Sequence, residues 1–199
     1  MKLYAIALLL FLANCLNAQN SYLYIEGEKI TIRDWDSFPV YNGKISYSRQ
    51  KDNGEASSDK YASVKKIDSI TVEGSVSYYP IKLIGSKELV LYKTLIASPE
   101  KKVLIAFFKT GKDLDQIMIR YSIVDKNNSI IKKGTFKAYR EYDKQSAFFR
   151  LVEKHFPGCS EVAQSIKKYE AIPSGDYERF EHINASMGFS FQKQVFHCN

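Results

Sequence analysis

The sequence predicts an α+β domain: an antiparallel, twisted β-sheet or partly closed barrel followed by three short C-terminal helices. Two observations carry that prediction. Up to Tyr139 apolar residues recur with period two in short runs separated by turn signals, and after Tyr139 the period becomes helical. Many short strands joined by short turns argue for an antiparallel sheet and against a parallel nucleotide-binding one.

The chain begins with the marks of an export leader over residues 1–18: Lys2, an apolar run from Leu3 to Ala13, and a polar stretch ending in Ala18. That run falls short of the roughly 20 apolar residues a membrane span requires, and no later segment supplies them. Cleavage between Ala18 and Gln19 is the favoured reading. The alternative is lipid anchoring at Cys15, but Asn14 fits poorly the small-residue site that lipidation requires. The expectation is an exported protein, periplasmic or secreted.

Strands are expected over Tyr22 to Ile32, Lys44 to Arg49, Ile67 to Val72, Ser75 to Ile84, Glu88 to Ala97, Lys102 to Lys109, Leu114 to Val124 and Ile130 to Tyr139. Asn42-Gly43, Glu73-Gly74, Gly85-Ser86, Thr110-Gly111 and Asn127-Asn128 are among the turns between them. "KYASVKKIDSITVEG" reads as a helical turn leading into a strand, with Ile67 and Ile70 inward and Lys65 and Lys66 in water. "RQKDNGEASSDKY" is the most polar stretch and is expected to be mobile.

The first helix is expected to bury Phe148, Val152 and Phe156, the second Val162, Ile166 and Tyr169, and the third Tyr177, Phe180, Ile183 and Met187. Pro157-Gly158 and Pro173-Ser174-Gly175 divide them; Cys159 or Ser160 begins the second, and Ser174 or Asp176 the third. Phe189 and Phe191 alternate again, as a returning edge strand would. The expected organisation is a leader (1–18), a β-rich body (19–139), a helical tail packed on the sheet (140–187) and a final strand or tail (188–199), with 19–199 forming one domain.

Composition fits a folded chain, with 45% hydrophobic and 14% aromatic residues. There are 29 Lys and Arg against 22 Asp and Glu, a surplus of seven that falls to six when Lys2 leaves with the leader. The cations are scattered in pairs, with no run of five or six. A polyanionic partner such as envelope polysaccharide suits the surplus, and so does a solvated Lys-rich surface. Export argues against nucleic acid.

Two cysteines follow the leader, Cys159 and Cys198. In an oxidising compartment they form one disulfide or stay as buried thiols. A zinc set of His155, Cys159, His197 and Cys198 is disfavoured, because adjacent ligands are unusual and no C-x-x-C anchors it. Cys159 beside His155 as a nucleophile pair lacks a placed base and oxyanion site. Asp34 with Asp36, and Asp113 with Asp115, have the spacing of shared-cation ligands, but alternating carboxylates at strand edges ordinarily face water. Neither a Gly-x-Ser-x-Gly elbow nor a phosphate loop is present, so no cofactor is expected.

A binding module therefore ranks above an enzyme. Its candidate surface is the loop "RDWDSFPVYNG", where Trp35, Phe38 and Tyr41 lie beside Asp34 and Asp36 as a stacking platform for sugar rings. The competing reading has Trp35 plugging the end of the sheet. The third class is an assembly role, in which a sheet edge or the helical tail docks on an envelope protein.

The segments "NAQN", "SVKKIDSITVEG", "KELVLYKTLI", "IMIRYSIVDKNNSIIKKG" and "FFRLVEKHFPGCSEVAQSIKKYEAIPSGDYERFEHINA" together resemble an uncharacterised class of exported proteins of Bacteroidota-type bacteria. The resemblance implies export and a shared fold over most of the mature chain, and it brings no activity. The chain departs from the class by carrying Phe156-Pro157-Gly158-Cys159 where relatives have a "DCP" triplet.

Overall fold

The computed structural model describes residues 21–33, 38–51, 55–72, 76–111, 117–137, 142–170 and 195–198. The strands are β1 (Ser21–Ile25), β2 (Glu28–Ile32), β3 (Lys44–Tyr47), β4 (Lys60–Ser63), β5 (Ile67–Val72), β6 (Val76–Ile81), β7 (Val90–Ala97), β8 (Lys101–Lys109), β9 (Ile117–Asp125), β10 (Ile130–Lys137) and β11 (Phe196–His197). Among the described residues two helices follow β10: α1 (Tyr142–His155) and α2 (Ser160–Glu170). The α+β class holds. The predicted third helix and the returning strand at Phe189 and Phe191 lie outside the described residues.

The main sheet runs β10-β9-β8-β7-β6-β5-β1-β2, with each neighbouring pair antiparallel. Among the described residues β2 and β10 do not pair, so no closed barrel forms. Register places Ile30, Leu23, Ile70, Tyr78, Lys93, Ile105, Tyr121 and Gly134 opposite one another in a single row across all eight strands. Directly opposite residues share a face. This row marks the front face, which carries the main core.

The helices meet that face through aromatic rings. Phe148 of α1 lies 4.7 Å from Tyr121 and 5.6 Å from Phe136, centroid to centroid. Gly134 makes room for them, since a Cβ there would sit 2.5 Å from Tyr121 Oη. Val152, Phe156, Val162 and Ile166 are buried in the same core, as the 3.6-residue stripes predicted. The small β3–β4 sheet contributes Ile45, Tyr47 and Ala62 to it.

Two local expectations change. The run Tyr22 to Ile32 is a hairpin and not one strand, because Glu26 and Gly27 take φ of 49° and 84°, the left-handed pair of a tight two-residue turn. The helical turn before β5 is a single 3-10 turn, Val64–Lys66, preceded by strand β4; Ile67 and Ile70 do point inward.

Two short segments extend strand edges that their neighbours leave. Val40 takes up the edge of β8 beyond β7, donating to Phe107 O at 2.9 Å and accepting from Lys109 N at 2.9 Å. β11 runs parallel to β7, pairing Phe196 with Ile96 and His197 with Ala97, on the edge where β6 has ended. Cys198 N then donates to Ala97 O at 2.8 Å. A disulfide joins Cys198 to Cys159, at the turn between the helices, with Cα atoms 5.2 Å apart.

Candidate functional site

The predicted aromatic loop divides. Asp34, Trp35 and Asp36 lie outside the described residues. Phe38 is 1% exposed and packs edge-on against Tyr78, with centroids 5.6 Å apart and planes at 79°, so it offers no ring face to a ligand. Tyr41 stands 39% exposed beside the Asn42-Gly43 turn, held by paired backbone bonds with Lys44.

A larger aromatic surface lies on the back of the sheet. In β1 the core residue Leu23 is flanked by Tyr22 and Tyr24, which period-two geometry sends to the opposite side. Thr31, Tyr22, Thr71 and Ser77 form one row there, and Lys29, Tyr24 and Ser69 form the next. Lys29 Nζ sits 3.8 Å over the Tyr22 ring. On β6, Tyr79 is 49% exposed. The surface is thus built from tyrosines interleaved with hydroxyls and one ammonium. Tyrosine combines an apolar face with a hydrogen-bonding tip, and neighbouring hydroxyls both donate and accept. The sequence signal was "SYLYIEGEKITI", where tyrosine fills the polar phase of the alternation.

The other half of the back face is sealed by the chain between β6 and β7. Leu83 closes over Val90, Tyr92, Leu104, Ala106 and Val124 in a second, smaller core. Glu88 accepts from Arg120 Nη1 at 2.6 Å, and the Arg120 guanidinium lies 4.4 Å over the Phe108 ring. Tyr92 Oη meets Ser122 Oγ at 3.2 Å within this core.

Lys93 was missed by sequence reasoning. It occupies the centre of the front row, 0% exposed, with Nζ 6.0 Å from the Tyr78 ring centroid. Burial holds its amine well below the ordinary lysine value. The signal was legible in "ELVLYKTLIA", where Lys93 shares the phase of Leu91 and Leu95. Burial also denies it a substrate, so it is no accessible nucleophile. The nearby apolar cavity, lined by Leu95, Ile105, Phe107, Ile119, Phe136, Phe148 and Phe149, has a volume of about 10 Å³. That is room for at most one water, with no polar group to hold it.

The disulfide consumes both sulfurs, so neither the zinc set nor a Cys159 nucleophile is available in this state. Among the described residues no three His, Cys, Asp or Glu side chains converge as a metal site, and no helix is long and apolar enough to cross a membrane. Asp113 and Asp115 lie outside the described residues. Comparison with known protein families, with curated proteins and with solved structures finds no match.

Proposed function

We propose that the protein is an exported, noncatalytic module that binds an envelope polysaccharide across the back face of β2, β1, β5 and β6. The observation that carries this reading is the tyrosine and hydroxyl surface of Tyr22, Tyr24, Tyr79, Thr31, Thr71 and Ser77. Sugar rings stack on tyrosine faces while their hydroxyls exchange hydrogen bonds with Ser and Thr. A disulfide suits the oxidising compartment that the leader implies. Localisation is then periplasmic or secreted, with a lipid at Cys15 as the alternative end.

Docking on an envelope protein ranks second. The outer strand β10 carries Lys132, Lys133 and Lys137, and lysines on an edge discourage strand addition. Calorimetric titration with neutral and acidic polysaccharides tests the reading. Binding that Tyr24→Ala and Tyr79→Ala each weaken, with the fold retained by circular dichroism, supports it. Absence of heat with every polysaccharide refutes it.

A further inference from the structure

The front face ends in a cluster of four basic groups drawn from three elements. Lys101 begins β8 in the phase of Val103 and Ile105, and Lys132 on β10 stands opposite Ile123, in the row that continues to Val103. Both therefore project on the side that the helices cover. Phe148 packs on Tyr121, and from there α1 advances about 10 Å to His155, at about 1.5 Å per residue. Strand β9 covers a similar ~10 Å from Tyr121 to Val124, at about 3.4 Å per residue. The disulfide ties the end of α1, with Lys154 and His155, to this end of the sheet: Cys159 is bonded to Cys198, whose N–H donates to Ala97 O, and Ala97 pairs with Lys102, next to Lys101.

Burial first, and then Lys101, Lys154 and Lys132, hold the His155 imidazole below its ordinary value of 6.5. Among the described residues, two carboxylates at this end have partners of their own. Asp125, opposite Lys101, caps its own turn, its Oδ1 accepting from Asn127 N at 2.9 Å and Ser129 N at 2.8 Å. Glu100 pairs with Lys126 at 3.5 Å, and Glu153 and Glu161 are exposed on the helices. Among the described residues Lys101, Lys132 and Lys154 make no ion pair.

We infer that this cluster is a binding site for an oxyanion group (sulfate, phosphate or carboxylate) of a polyanionic ligand, with Lys101, Lys132 and Lys154 as charge partners and His155 as a hydrogen-bond donor. Three lysines and an imidazole facing one backbone-capped carboxylate, Asp125, leave a net positive charge held together by a rigid sheet and helix end, which attracts a counter-ion more strongly than the same charges scattered. The half-buried imidazole supplies direction, because a ring N–H has a fixed line. The site lies on the front of the sheet and does not depend on the polysaccharide reading of the back face.

The test follows the His155 ring proton by NMR over pH, without and with inorganic sulfate and, separately, polygalacturonate. A bound anion stabilises imidazolium, so the His155 titration moves up. Lys101→Gln and Lys132→Gln each weaken binding about two- to five-fold, as expected for one partly exposed charge. Lys65→Gln removes the same charge from the turn before β5 and leaves affinity unchanged. Saturation by sulfate alone identifies a discrete anion; a response only to polygalacturonate identifies the acidic polymer. The inference is overturned if neither probe moves His155, or if Lys65→Gln weakens binding as much as Lys132→Gln.

Discussion

Breaking the Cys159–Cys198 disulfide should cost this protein about 4 kcal/mol. The bond spans a sequence separation of 39 residues. Closing a loop of about 40 residues removes roughly 13 cal/mol/K of entropy from the unfolded chain, which is about 4 kcal/mol at 25 °C. For a chain of this length 1 kcal/mol moves the melting temperature by about 2–4 °C, so the expected fall is roughly 8–16 °C. The native contacts raise the figure if anything, since the bond fastens β11 against β7 and the turn between α1 and α2 onto the core. The assay is urea unfolding followed by circular dichroism on the oxidised protein, the reduced protein and Cys159→Ala/Cys198→Ala. Reduced and double-variant proteins should unfold at the same lower urea concentration, with a steeper urea dependence because the unfolded chain is no longer looped. A loss below 1 kcal/mol, or two thiols that titrate in the native oxidised protein, would refute the reasoning.

Lys93 and His155 predict opposite ends of a pH profile. For each base the folded value is depressed, so its stabilising contribution is complete above the unfolded value and is lost as pH falls toward the folded one. Unfolding free energy should therefore rise with pH up to about 10.5, by at most about 1.4 kcal/mol per unit from one proton, and Lys93→Met should flatten that slope in chemical denaturation. Acidification below about 6.5 should destabilise the protein through His155, and His155→Gln should shallow that acid limb. Gly134→Ala should cost about 1–3 kcal/mol, because its Cβ would strike the Tyr121 ring held by Phe148; the added Tyr121→Ala substitution should cancel the clash in a double-mutant cycle. Phe148→Ala should cost about 3–5 kcal/mol in the same urea assay.

The alternation of Ile117, Ile119, Tyr121 and Ile123 within the expected strand Leu114 to Val124, and the stripe Phe148, Val152, Phe156, were legible because one apolar face per element leaves a periodic trace in the sequence. Hairpin geometry was legible at Asn42-Gly43 and not at Glu26-Gly27, since glutamate is not a residue that advertises positive φ. The pairing of β11 with β7 leaves almost no local trace: a two-residue strand has no period, and its partner is fixed by a distant cysteine. Phe38 has the local sequence context of a binding ring, whereas Tyr78 provides a ring against which it is buried. Burial of an aromatic side chain depends on what the fold brings to it, which its own segment does not encode. The back-face tyrosines were hidden for the converse reason, because alternation marks which face is buried and is silent on what the other face is for.

Strand β7 acquires its last neighbour very late. Phe196 pairs with Ile96, one hundred residues earlier in the chain, and no earlier described segment pairs with that edge. During synthesis an apolar strand end must wait for one hundred further residues before it is covered. Loop closure over that span is slow relative to hairpin formation, and an open strand edge recruits other chains in the meantime. Quality control in the compartment of folding would thus meet an intermediate with β1 to β10 assembled, two thiols unjoined and one edge exposed, and the oxidant that joins Cys159 to Cys198 would also mark the moment at which the molecule stops being adhesive.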